Sequence, residues 1–404
     1  VIIKYESNAQ EDFIMSTNIF DLDKNYIENT YARFPVALVS GKGSLLYDSE
    51  GRRYIDLGGG IAVNSFGASD DEWVNAVTAQ LGKLQHTSNL YYTEPQVTLA
   101  QMLCERTGMK KVFFSNSGAE ANECAIKAAR KYAFDKYGEG KRPNIVTLKN
   151  SFHGRTLATL TATGQDGYHT YFNPFPEGFL YADANDIGAM ESLVGAGGVC
   201  AVMIELVQGE GGVMALEPSY VKALSELTAE NDVLLIIDEV QTGNGRAGAL
   251  YAYMDYDVAP DIVTTAKGLA GGLPLGATMF SEKTAGTLKA GDHGSTFGGN
   301  PVCAAGAVNI LSRIDGELLA GVREKSAYLF ERLGKAEGVI SVSGAGLMIG
   351  IRTKRPAKEV AAGCLEKGVL VLTAKDRVRL LPALNIPAEL LAEAAETLIS
   401  VIEN

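Results

Sequence analysis

The sequence predicts an α/β protein in which a large domain, built on a mainly parallel sheet, is followed by a smaller α+β domain. Two patterns carry that prediction. From about residue 95, short continuous apolar runs alternate with helical periodicity, as strands covered on both faces require. Past residue 306 the order changes to a helix, strands, a second helix, strands and a last helix, with no Pro- or Ser-rich linker before it. The expected division is an N-terminal segment with a hairpin (1–70), a large domain (71–305) and a small domain (306–404). The last two are expected to share a long helix near 301–336.

Taken in order, residues 1–14 precede the plausible start "MSTNIFDLD" and read as an extension outside the fold. "GSLLYDSEGRRYIDLG" (43–58) reads as two short strands around an Asp-Ser-Glu-Gly turn. "KKVFFSN" (110–116) is a buried strand, followed by a helix of about 18 residues that begins at Ser117. Further strands are expected at "NIVTLK" (144–149), "AVMIEL" (201–206), "VLLIIDEV" (233–240) and "DIVTT" (261–265). In the small domain the elements are "GVISVSGAGLMIGIRT", a helix over 357–367, "GVLVLTA", "RVRLLPAL" and a final helix.

Bulk composition narrows the function. The 404 residues are 46% hydrophobic and 21% charged, an ordinary globular balance, with a net charge of −12. That charge argues against nucleic-acid binding, which needs a positive field. The longest apolar runs are too short for a bilayer, and no signal peptide is evident, so a cytoplasmic protein is expected. Cys104, Cys124, Cys200, Cys303 and Cys364 are scattered without CxxC spacing, and His86, His153, His169 and His293 show no ligand spacing. No disulfides and no metal are expected. Glycine is in excess, 45 residues, clustered in several loops. Loops that bring backbone close to a ligand have this composition.

Three features suggest chemistry. Lys267, in "DIVTTAKGLAGGLPLGA" (261–277), stands between a strand-like run and a glycine-dense stretch. It reads either as a loop lysine with its amine in water or as an amine held in a dry pocket, ready to attack a carbonyl. In "FSNSGAEANECAIKAARKY" (114–132), Ser117 and Glu120 form a capping box, which alone would describe a well-capped helix. Gly118 and Ala119, however, leave first-turn amides uncovered, where a phosphate binds well. Asp238 ends a buried strand, the place where open α/β sheets bind ligands. The adjacent "GNGRAG" (243–248) matches a dinucleotide fingerprint, but the acidic pair precedes the glycines and no good crossover helix follows. A dinucleotide-binding protein is the alternative of a different class. An acid, a lysine and a phosphate cradle at strand ends are the parts that hold pyridoxal 5'-phosphate: the acid keeps the ring nitrogen protonated and the lysine takes the aldehyde. Phe152 of "NSFHGRT" would stack on the ring, with Arg155 free to grip a carboxylate.

The motifs "NSGAEANE", "FHGRT", "ELVQGEGG", "IIDEVQTGNGRAG", "TTAKGLAGGLPLGA" and "STFGGNP" together resemble the class III, fold-type I pyridoxal-phosphate aminotransferases. The resemblance runs from residue 31 to residue 384. It implies that Lys267 binds the cofactor aldehyde and Asp238 its pyridine nitrogen. Val240 and Gln241 would line the ring, Phe152 would stack on it, and Ser117, Gly118 and Ala119 would cradle the phosphate. Thr296 would reach a phosphate of the neighbouring subunit, making the active unit a homodimer with shared sites. For substrate, the resemblance implies Arg155, Ser295 and Arg379, with Glu205 pairing with Arg379 when the donor is bound. The reaction implied is transfer of the ω-amino group of N-acetylornithine to 2-oxoglutarate, in arginine biosynthesis. Succinylornithine, ornithine and 4-aminobutyrate are the alternative donors. "GASDDEW" (67–73), Asn244 and Ala247 depart from the family's loops without removing a cofactor group.

Overall fold

The computed structural model describes residues 18–404; the expected extension, residues 1–14, lies outside them. Seven strands form the large sheet: β1 (Lys111–Ser115), β2 (Asn144–Leu148), β3 (Phe179–Ala182), β4 (Val199–Ile204), β5 (Leu234–Asp238), β6 (Ile262–Thr265) and β7 (Gly276–Phe280). Their order is β1-β7-β6-β5-β4-β2-β3. The pairs β5–β6, β5–β4, β2–β4 and β2–β3 are parallel, while β7 runs antiparallel to both its neighbours.

Alternate residues of these strands feed two separate cores. Val202, Ile204, Leu235, Ile237 and Val263 face one apolar cluster, shared with helices Glu94–Thr107 and Pro301–Arg313. Ala201, Met203, Leu234, Ile236 and Ile262 face the other, against α1 (Gly118–Tyr137). Both faces are buried, so these strands read as unbroken apolar runs rather than as alternating ones. The sequence pattern missed β3 and β7, which are four- and five-residue strands set among glycines.

The helix expected across 301–336 is two helices, Pro301–Arg313 and Gly316–Gly334. Asp315 breaks it: its side chain accepts from Leu318 N–H as an N-cap, and Ile314 leaves the helical region with ψ 85°. The first helix packs on the large core, the second on the small one. The N-terminal hairpin is a meander of Leu38–Lys42, Leu45–Asp48 and Arg53–Asp56, whose last strand pairs in parallel with Val369–Leu370. Ile55 and Leu57 are buried with Val322, Ile351 and Leu398, so this segment shares one apolar core with the C-terminal elements. A lone hairpin is marginal in water, and this partner supplies its stability. "GVLVLTA" divides between that sheet and an antiparallel one, in which Leu372–Ala374 pairs with Arg377–Leu380.

Candidate active site

Three strands of the large sheet end together. β4 is followed by Glu205, β5 ends at Asp238, and Lys267 stands two residues past β6. All the predicted site residues except Ser295, Thr296 and Arg379 line one cavity there, about 490 Å³ in volume.

Lys267 is partly buried in the cavity wall, and the loss of water pushes its ammonium below the usual lysine range, partly offset by the charge of Asp238. Among the described residues it forms no ion pair. Its backbone is held at φ +44°, a costly value for a side chain of this size. The flanking residues hold it there: Asn244 donates to Ala266 O at 3.2 Å and Ser65 donates to Gly268 O at 2.9 Å. Asn244, a departure from the family loop, thus does structural work next to the lysine. The lysine lines the cavity rather than the open surface.

Asp238 is buried and heavily coordinated. Its Oδ1 accepts from Val240 N–H at 3.0 Å; its Oδ2 accepts from Asn122 Nδ2 at 2.7 Å and from His153 Nδ1 at 2.8 Å. A carboxylate has about four acceptor positions, so one is left for a cationic N–H in the cavity. Burial lowers the His153 pKa, but the Asp238 hydrogen bond and charge outweigh it and raise the value overall. Asn122 is locked in turn by Thr264 Oγ1 at 2.7 Å. Nothing in the sequence marks Asn122 or His153 beyond their places in "EANE" and "FHGRT".

The cradle forms at the start of α1. Ser117 Oγ accepts from Glu120 N–H at 3.2 Å, as the capping box requires, but Glu120 returns its bond to Asn116 N–H rather than to Ser117. Among the described residues the amides of Gly118 and Ala119 have no acceptor, and both residues line the cavity. A Cβ at Gly118 would come within 2.5 Å of Val240 Cγ1, so only glycine lets this helix start lie against the ring-lining valine.

Phe152 and Arg155 line the cavity as expected. Ser295 is one hydrogen bond away, its Oγ accepting from Asn116 Nδ2 at 3.0 Å. Thr296 is exposed and lies elsewhere, among His86, Asn89, Gln96 and Gly299. Arg379 lies behind Gln241, to which it donates at 3.4 Å.

One expectation is corrected. Glu205 does not pair with Arg379; the buried Arg379 guanidinium donates to Glu210, at 2.5 Å. Glu205 is already engaged, accepting from Phe152 N–H at 2.7 Å and from Gly209 N–H at 3.2 Å. Burial pushes its carboxyl up to about 7. "GNGRAG" also proves to be a run of turns, with buried Arg246 donating to Leu347 O and Pro382 O. Its glycines serve packing: Gly243 lies against Tyr251, Gly245 against Leu384, Ile314 and Leu319, and Gly248 against Arg323.

The family model of the class-III aminotransferases matches residues 26–402. The chain belongs to that family. It is 50% identical over 389 residues to the acetylornithine aminotransferase of Haemophilus ducreyi, covering 96% of this chain and 99% of the relative. It is 44% identical to that of Methanothermobacter thermautotrophicus, covering 96% and 99%. Among solved structures, N-acetylornithine aminotransferase from Stenotrophomonas maltophilia aligns with TM-score 0.82 at 37% identity, covering 95% and 98%. Ornithine aminotransferase from Toxoplasma gondii aligns with TM-score 0.93 at 31% identity, covering 99% and 98%. Backbone shape alone therefore does not choose between the two donors. This class-III aminotransferase uses pyridoxal 5'-phosphate, and the residues present fit it: a lysine in the cavity wall, an acid with one acceptor position left, and two amides at a helix start that have no acceptor among the described residues.

Proposed function

We propose that this aminotransferase takes the ω-amino group of N-acetylornithine and gives it to 2-oxoglutarate, as in arginine biosynthesis, working in the cytoplasm as a homodimer. The observation that carries the reading is a pair of arginines in different states, one lining the cavity and one behind its Gln241 wall. Among the described residues Arg155 pairs with no carboxylate at the cavity, while Arg379 is neutralised by Glu210. A dicarboxylate acceptor needs both cations; a donor entering amine-first, with one carboxylate, needs only one. A carboxylate that releases Arg379 for one substrate and covers it for the other suits two such molecules using one site in turn.

Pyridoxal phosphate, when bound, supplies a carbonyl for the amino group and a protonated ring that accepts the electron pair released at the substrate carbon. Lys267 would hold that carbonyl and, once displaced, its Nζ would carry the proton between substrate carbon and cofactor. Burial suits that role, since a lysine of lowered pKa is neutral often enough to act as a base. Asp238, fixed by Asn122 and His153, would keep the ring nitrogen protonated. The amides of Gly118 and Ala119 would take the phosphate. Relatives named acetylornithine aminotransferase, at up to 50% identity over nearly the whole chain, support the donor assignment.

The dimer reading rests on an exposed apolar surface beside Thr296. Leu90, Tyr91 and Tyr92 are 86%, 67% and 99% exposed, and Phe297, 60% exposed, packs its ring 5.3 Å from that of His86. A patch of this kind on a single chain marks a partner surface. Unpaired cysteines support the cytoplasmic location.

Borohydride treatment followed by peptide mapping should fix the cofactor on Lys267, and a label on another lysine would overturn the site. Single-turnover bleaching of the cofactor band should be faster with N-acetylornithine than with ornithine or 4-aminobutyrate. Faster reaction with 4-aminobutyrate would overturn the donor while leaving the cofactor site intact.

A further inference from the structure

Arg155 is exposed, and among the described residues its guanidinium donates to no carbonyl and pairs with no carboxylate. Two aromatic faces hold it instead. Its central carbon lies 4.2 Å from the ring centre of Tyr168 and 5.4 Å from that of Phe152, and the two rings meet edge to face at 6.0 Å. A guanidinium stacked on a π face is oriented while all its N–H donors stay free, which hydrogen bonding to the protein would not allow.

Tyr168 is itself tethered. It ends the short turn Asp166–Tyr168, where Gln165 Nε2 donates to Ser151 O at 3.0 Å and His169 Nε2 lies 2.8 Å from Leu160 O. Both tethers run to the segment that carries Phe152 and Arg155, so shelf and guanidinium are built on one piece of chain. The half-buried ring is thus a fixed support rather than a mobile surface group.

We infer that Tyr168 is a positioning residue for substrate: its ring holds the Arg155 guanidinium in the orientation that receives a substrate carboxylate. The inference rests on the proposed role of Arg155 as a carboxylate anchor. Both substrates would feel it, because both bring a carboxylate. The hydroxyl has no part in it, since the support is the π face.

The test uses the holoenzyme and measures two quantities: Kd for glutarate, an unreactive dicarboxylate, by calorimetry, and KM and kcat for 2-oxoglutarate. Tyr168→Leu should raise the glutarate Kd and the 2-oxoglutarate KM about 3- to 30-fold, the range of a partly exposed cation–π contact. The cofactor absorbance band should not change, and kcat should fall less than KM rises. Tyr168→Phe should restore parental binding within about twofold, because the ring remains. In an Arg155→Ala background, Tyr168→Leu should cost nothing further. Should the leucine variant fail to fold, Tyr168→Thr is read in the same way. If Arg155→Ala weakens glutarate binding but Tyr168→Leu does not, the anchor stands and the inference falls. A phenylalanine variant as weak as the leucine one also overturns it, by assigning the effect to the hydroxyl. If Arg155→Ala binds glutarate as the parent does, the anchor reading itself fails, and the inference with it.

Discussion

Replacing Glu210 with alanine leaves the Arg379 guanidinium buried and without its carboxylate. The pair is asymmetric: the Arg379 side chain is 4% exposed and that of Glu210 26%. A hydrogen bond to a charged group contributes about 1.5–3 kcal/mol, and the partial exposure of Glu210 argues against anything larger. When the donor enters amine-first, nothing else on it neutralises Arg379. A bare Arg379 would instead attract the α-carboxylate of donors such as glutamate and present their α-amine to Lys267. The ratio of kcat/KM for N-acetylornithine to that for glutamate should therefore fall by about 10- to 150-fold. The assay is stopped-flow single turnover of the cofactor band, with each donor tested separately. Glu205→Gln serves as the control, because Glu205 holds backbone amides rather than Arg379; the glutamine keeps an acceptor for one of them, and the ratio should move by less than about threefold. An unchanged ratio in Glu210→Ala together with a large change in Glu205→Gln would refute the reasoning and restore Glu205 as the partner of Arg379.

Two further predictions concern the buried acids. Asp238→Asn offers one oxygen where three donors now converge on two, and its amide cannot favour a protonated ring nitrogen. Turnover should fall by ~10²-fold or more with the fold intact by circular dichroism, and near-parental turnover would remove Asp238 from its role. Glu239 is fully buried, and burial raises its carboxyl to about 7 despite bonds from Thr242 and Tyr253 N–H. The folded state then holds a proton that the unfolded state has released between its ordinary value of 4.5 and about 7. Stability should therefore decrease as pH rises through that window, by at most about 3 kcal/mol from this group. Urea unfolding of the apoprotein from pH 4.5 to 8 should show a flatter profile in Glu239→Gln; parallel profiles in parent and variant would refute it.

The sequence by itself determined the elements whose signal is local. An apolar run wide enough to be buried on both faces marks β5 and β6, and the polar residue that ends or follows each run is then at the ligand edge of the sheet. Asp238 and Lys267 were legible for that reason, as were Ser117 through its cap and Phe152 and Arg155 through "FHGRT". Tertiary structure decided what depends on contacts distant in sequence. "ELVQGEGG" presents two glutamates five residues apart. Only the fold shows that Glu205 is taken up by the amides of Phe152 and Gly209, leaving Glu210 to meet Arg379 from 169 residues away. Asn122 looked like any helical residue until the fold set it beside Asp238, and Tyr168 like any loop tyrosine until it lay against Arg155. The hairpin strand Arg53–Asp56 could not announce that its partner is Val369–Leu370. A strand's own residues specify its two faces, but its edges offer only backbone groups, which are the same whatever the partner. Which edge is satisfied, and which charge meets which, is settled by the packing of the whole chain.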